Sequence, residues 1–344
     1  MRITNRLLGA LALAASVALV ATGCTGGTDA PAPAGGSGSA DAPRETIDVN
    51  FGYIGDFNGT SLLAVAEDQG IWAEHGLAVN PVVFTNGPLQ IQAMGTGDLD
   101  FGYIGPGAVW LPASGKATMV MINSLGQADR VIAQPGITKI EDLKGKNVAV
   151  PEGTSGDMIL TLALKEAGMT KADVTVIPMD PAAVVTAFGS GQVDAAGLWY
   201  PAIGTLKKQV PDLVELAQNS DFEDQMAFPS SFVAGPDVIE KNPEMAQRVV
   251  AALKEANQWR YEHTDETIEL VAKFLALDVE TVKADAANVK LMSTEELETL
   301  STDGTVDTWL TAMNGYFTDS GKLDATALEP SAYYDSALFT GASK

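Results

Sequence analysis

The stretch Thr46-Ile47-Asp48-Val49-Asn50-Phe51-Gly52-Tyr53-Ile54-Gly55-Asp56-Phe57-Asn58-Gly59 decides the fold. Ile47, Val49, Phe51 and Tyr53 alternate with polar or small residues, the two-residue period of a strand. The run ends in the turn Gly55-Asp56-Phe57-Asn58-Gly59. Thr60 or Ser61 then stands where a cap would open a helix carrying Leu62, Leu63, Ala66 and Ile71. Gly76 follows Glu74 and His75 as a helix stop. Residues 77–84 read as a second strand, 88–94 as a helix and 99–104 as a third strand. Strands alternating with helices make βαβ units, so the expected class is α/β with a largely parallel sheet.

The scheme repeats further along. The segment Glu141-Asp142-Leu143-Lys144-Gly145-Lys146-Asn147-Val148-Ala149-Val150 ends in a strand, and Pro151-Glu152-Gly153-Thr154-Ser155-Gly156 forms the loop after it. A helix over 157–167, a strand over 174–178 and a helix over 182–188 follow. Gly95-Thr96-Gly97-Asp98-Leu99-Asp100 returns as Gly189-Ser190-Gly191-Gln192-Val193-Asp194, each a helix stop before a short strand. Two copies of one scheme predict two similar lobes. Glycine is also the common helix stop, so chance similarity stays open. Beyond Ala234 the chain reads as helices over 243–261, 267–276, 279–288, 294–300 and 306–318, packing back on the first lobe. Trp259, Tyr261, Trp309 and Phe317 are expected in the core.

Ahead of all this lies an export signal. Met1, Arg2 and Arg6 precede an uncharged apolar run over 7–20, too short for a standard membrane span, then Ala21-Thr22-Gly23-Cys24. Val20-Ala21-Thr22-Gly23-Cys24 resembles a bacterial lipobox. That resemblance implies cleavage after residue 23, acylation of Cys24 and attachment to the outer face of the cell membrane. An uncleaved anchor helix is the competing reading. Residues 24–44, rich in Gly, Ala, Pro, Ser and Asp, have no large apolar residue beyond the start and read as a flexible tether. Cys24 is the chain's one cysteine, so no internal disulfide can form.

The 344 residues suffice for two lobes, and 46% apolar with 19% charged is a globular composition. A net charge of −23 repels phosphate, which excludes a nucleic-acid partner. No metal-ligand spacing or phosphate loop appears, and neither His75, at the end of a surface helix, nor His263 adjoins a nucleophile motif. Neither catalysis nor a cofactor is expected.

Three stretches carry a family resemblance. They are Leu63-Ala64-Val65-Ala66-Glu67-Asp68-Gln69-Gly70-Ile71-Trp72-Ala73-Glu74-His75-Gly76-Leu77, the 141–150 segment above, and Gly191-Gln192-Val193-Asp194-Ala195-Ala196-Gly197-Leu198-Trp199-Tyr200-Pro201-Ala202. Together, over about residues 45–335, the chain resembles the nitrate/sulfonate/taurine class of ABC-transporter substrate-binding proteins. The resemblance implies a type II periplasmic-binding-protein fold: two α/β lobes, two crossovers and a hinge closing on ligand. It places lobe one at 45–128 plus 234–344 and lobe two at 129–233, with crossovers near 125–133 and 226–234. It further implies a monomer that hands a small molecule to a permease and its ATPase. The rival class is an enzyme, since pyrimidine-synthase relatives share the fold.

Ligands of open α/β sheets sit beyond the carboxyl ends of the strands, which selects five loops here without family knowledge. Asp56, Phe57 and Asn58 occupy the first, Thr85, Asn86 and Gly87 the second, and Gly105 and Pro106 the third. Thr154, Ser155 and Gly156 occupy the fourth, and Trp199 and Tyr200 the fifth. Ser230, near the second crossover, completes the candidates. Thr154-Ser155-Gly156 opens a helix, whose free N–H groups favour an anion. Taken with the family resemblance, this implies a small organic anion of the taurine or alkanesulfonate class as the solute. Thr154 and Ser155 acting as plain caps, and Trp199 with Tyr200 as a core pair, are the bland alternatives. So is Asp157 as a first-turn acid answering its helix dipole, rather than a ligand for an ammonium. Arg130 can reach the cleft or solvent. Taurine-type members carry an acid where this chain has Pro229-Ser230-Ser231-Phe232. A heterocycle such as a thiamine-precursor pyrimidine, nitrate or an aromatic acid stays open as the solute.

Overall fold

The computed structural model describes residues 45–343. The signal run, Cys24 and the tether up to residue 44 lie outside the described residues. Eleven strands form two sheets: β1 (Ile47–Ile54), β2 (Leu77–Phe84), β3 (Phe101–Ile104), β4 (Thr118–Gly126), β5 (Asp129–Ala133), β6 (Asn147–Val150), β7 (Thr175–Pro178), β8 (Ala195–Trp199), β9 (Val214–Gln218), β10 (Pro229–Ala234) and β11 (Val289–Lys290). The first sheet runs β11-β4-β10-β3-β1-β2 and the second β7-β6-β8-β5-β9. β1 pairs in parallel with β2 and β3, and β6 with β7 and β8. Each sheet also inserts an antiparallel strand from beyond its own run, β10 between β3 and β4 and β5 between β8 and β9, and the two-residue β11 adds antiparallel to β4 at the first sheet's edge. Laying β7-β6-β8-β5-β9 over β2-β1-β3-β10-β4 makes the orders coincide, so the repeat seen in sequence is a repeat of architecture.

The repeated Gly-X-Gly segments show why. The first ends helix α2 (Gly87–Thr96), the second follows α4 (Pro181–Gly189), with α1 (Phe57–Asp68) and α3 (Ser155–Glu166) after β1 and β6. Gly97 and Gly191 both have φ above +70°, the left-handed turn that lets the chain leave a helix. Three residues on, Asp100 accepts the Asn50 N–H at 2.8 Å and donates its own N–H to Asn50 O. Asp194 does the same with Asn147, at 2.9 Å. Each acid thus pins the start of its strand to the neighbouring one.

Two passages join the sheets, residues 127–128 between β4 and β5, and 219–228 between β9 and β10. The return comes earlier than residue 233. Ser231, Phe232, Val233 and Ala234 already pair with Ile104, Tyr103, Gly102 and Phe101 of the first sheet.

Helix α1 also begins earlier than Thr60 or Ser61. Asp56 is its cap, accepting the Gly59 N–H at 2.6 Å, while the Thr60 hydroxyl donates to Ile54 O. A carboxylate three residues before a free N–H outcompetes a hydroxyl further on. The C-terminal helices α5 (Pro243–Glu262), α6 (Thr264–Leu275) and α7 (Val279–Ala286) pack on α1. His75 is buried rather than superficial, its Nε2 2.9 Å from Glu255. Phe317, on α8 (Thr305–Asp319), is core as expected, whereas Tyr261 is exposed.

Candidate ligand-binding site

A cavity of about 50 Å³, room for a few waters, lies between the two sheets at the strand ends. Asp56, Asn58, Asn86, Gly87, Gly105 and Pro106 line it from the first sheet's loops, and Thr154, Ser155, Trp199 and Tyr200 from the second's. Ten of the fourteen expected residues therefore meet there.

Four do not. Phe57 is fully buried among Ala64, Ile268, Val271 and Val282, because starting the helix at residue 57 turns its ring under α1. Thr85 is exposed, its hydroxyl accepting from Asn86 Nδ2. Gly156 meets Gly197: a Cβ there would stand 2.5 Å from Gly197 O, so the glycine serves packing of α3 on β8. Ser230 is buried behind the wall, 2.9 Å from the Ser124 hydroxyl.

Sequence reasoning missed Tyr103, Asp129 and Asp285, which also line the cavity. Asp129 is the first residue of β5, 3% exposed, and accepts from Asn219 Nδ2 at 3.0 Å. Burial pushes its carboxyl up, against hydrogen bonds from Ser155 and Asn219 and the charge of Arg130. Asp285 reaches in from α7, also 3% exposed, its Oδ2 taking the Phe57 N–H at 2.6 Å. Burial pushes it up to about 7. Burial, then the charge of Asp285, holds the Asp56 carboxyl well above the usual carboxylate range, despite the Gly59 N–H. Burial also raises Tyr103 well above the usual phenol, with the charge of Asp56 adding to it.

The expected anion cradle is differently furnished. The Thr154 hydroxyl does not cap α3; it donates back to Pro151 O at 2.6 Å. Gly107 packs on the same backbone from the opposite lobe, where an added Cβ would lie 2.1 Å from Ser155 N. Asp157 accepts the Gly153 N–H and pairs with Lys171, the structural role of a first-turn acid. Arg130 is 8% exposed and committed: to Glu215 at 3.0 Å, to Gln127 O and Asp129 O, and to Asn288 Oδ1 at 2.7 Å. Among the described residues, no Lys, Arg or His lines the cavity. Its carboxyl groups are those of three aspartates, Asp56, Asp129 and Asp285.

Trp199 and Tyr200 are half-buried, neither core nor free. Lys207 donates to the Tyr200 hydroxyl at 2.8 Å, and the Arg130 guanidinium lies 5.4 Å from its ring centre. Across the cleft mouth, Trp110 Nε1 donates to Gly153 O at 3.2 Å, and Lys322 pairs with Glu152 at 2.9 Å. These contacts close one lobe on the other.

Comparison with known proteins agrees with this geometry. The profile of the family described as NMT1/THI5 like matches residues 58–267. A Brucella abortus (strain 2308) chain, named as a binding protein with no ligand stated, is 52% identical over 299 residues, 87% of this chain and 93% of its own. A Bacillus subtilis (strain 168) protein named for binding aliphatic sulfonates is 28% identical over 268 residues, 74% of this chain and 76% of its own. Among solved structures, the alkanesulfonate-binding protein of Xanthomonas axonopodis pv. citri bound to MOPS superposes with a TM-score of 0.68 at 22% identity, covering 84% of this chain and 98% of that one. A desulfurization enzyme shares the fold too, with a TM-score of 0.63 at 15% identity, covering 86% and 98%. The family profile spans more than half of the chain, and a close relative runs along nearly all of the described body. The chain therefore belongs to the NMT1/THI5-like family, on the two-lobed fold of the type II periplasmic binding proteins.

Proposed function

We propose that the chain is the extracytoplasmic receptor of an ABC importer. Anchored through acylated Cys24, it captures a small solute between its lobes, presents it to a permease and its ATPase as a monomer, and transforms nothing. The carrying observation is the cleft itself: polar groups from both sheets converge on one small cavity at the strand ends, with the mouth closed by contacts between lobes. Names of relatives support the same role. The lobes divide at the passages 127–128 and 219–228.

The relatives' names bring sulfonates, the taurine and alkanesulfonate class, to this cleft. Its three aspartates and its aromatic pair favour the second reading, a nitrogen heterocycle. A thermal-shift screen of the full chain against taurine, alkanesulfonates, nitrate, thiamine precursors and aromatic acids tests the role. A ligand at a hundred times its Kd adds roughly 2.7 kcal/mol, a shift of a few degrees at this length. The solute should be recovered unchanged after incubation. Conversion of the solute, or uptake unaffected by deleting the gene, would refute the receptor reading.

A further inference from the structure

Resting on the reading of this cleft as the solute site, we infer that the solute is an organic cation whose N–H groups are taken by Asp56 and Asp285. Among the described residues, every ionisable acid or base lining the cavity, Tyr103 and Tyr200 aside, is a carboxyl group. Asp129 has Arg130 and Asn219 beside it, but Asp56 and Asp285 face one another across the opening of α1 with no cation in the lining. Each holds a backbone N–H of the α1 opening, Gly59 for Asp56 and Phe57 for Asp285. Asp285 is 97% buried by its 3% exposure, and no donor among the described residues reaches its Oδ1. A carboxylate oxygen that takes no donor from the protein, on the wall of a cavity, is free to take one from the cavity's occupant.

The place where an anionic end would sit is taken by the protein. Gly107 covers the α3 opening, and Asp129 stands at Ser155. A bare metal ion does not answer the charge either, since no group of three His, Cys, Asp or Glu among the described residues is placed to hold one. The charge is spread for a molecule of several atoms. Trp199 and Tyr200 line the cavity from the second sheet's loops alone, short of the enclosing cage that a quaternary ammonium uses. Carboxylates with a partial aromatic wall suit an ammonium or amidinium group that can donate hydrogen bonds. Asn58 adds a complementary donor. Its Oδ1 is held by Asn123 and Ser124, which leaves Nδ2 for an acceptor on the same molecule.

The test divides a bacterial metabolite extract at neutral pH into cation-exchange-retained, anion-exchange-retained and flow-through fractions, and measures the Tm of the full chain with each. The cation-retained fraction should raise Tm by a few degrees and the others should not. Asp285→Asn and Asp56→Asn keep an oxygen for their backbone N–H groups, so both should fold with an unchanged or higher ligand-free Tm. Each should lose at least tenfold in affinity for the active cation fraction. Stabilisation by the anion-retained or flow-through fraction instead overturns the charge assignment and leaves the receptor standing. Cation stabilisation indifferent to both substitutions overturns the assignment to these acids. Silence from all three fractions overturns the cation and the solute site together.

Discussion

The two lobes share a scaffold and divide the chemistry. Both build β-strand, helix, Gly-X-Gly stop and a strand pinned by an aspartate. Yet at matching places the side chains part. Tyr103 of the first copy lines the cavity where the second has Gly197, which lets α3 approach β8. Gly105-Pro106 of the first stands where the second has Trp199-Tyr200. The first helix opens under its own carboxylate, Asp56, and the second under a hydroxyl turned back on Pro151. Backbone hydrogen bonding dictates what is shared, and strand-end side chains, free of that duty, carry what differs.

The comparison breaks most visibly at Gly197. An added Cβ would stand 2.1 Å from Gly156 O, backbone against backbone. Gly197→Ala is expected to cost about 3 kcal/mol or more, read as a fall in denaturation midpoint, since neither element can yield. Next comes pH. Asp285 titrates near 7 in the folded chain and Asp56 is also raised, so their contribution is full below the ordinary carboxylate range and is lost as pH climbs through about 7. The ligand-free chain should lose on the order of 2 kcal/mol between pH 5 and pH 8, with Asp285→Asn flattening the profile. Thermal melts across that window check it. A profile that rises with pH would show that the acids are already paired.

Gly107→Ala sharpens the contrast, because its clash falls between lobes rather than within one. It should weaken solute binding at least tenfold while leaving the ligand-free Tm nearly unchanged, as titration calorimetry and melting would show. Smallest is the pair of strand pins. Asp100→Ala should cost about 1 kcal/mol and Asp194→Ala less, because Asn147 is exposed and water replaces its lost acceptor.

Much of the fold was legible because glycine stops and strand alternation are local signals. The site was legible where strand ends could be counted, as at Asp56, Asn86 and Trp199. Asp285 lay 228 positions from the Phe57 N–H it holds, among many acids on surface helices. The available clue was small: it falls three residues after Val282, on the face that turned out to be buried. Asp129 hid in a segment read as crossover, though it begins a central strand. Phe57 misled because its helix starts one turn early, a shift decided by the Asp56 side chain rather than by the apolar pattern. What meets the α3 opening was not legible either: its hydroxyls are local, but the Asp129 carboxylate and the Gly107 backbone that stand against them arrive from elsewhere in the chain.

Trp110 gives the closed cleft one more property. Its indole N–H rests on Gly153 O of the facing lobe, so separating the lobes would pass that ring from a protein partner to water. The emission of this tryptophan should move to the red as the receptor opens, an optical gauge of occupancy that needs no added dye.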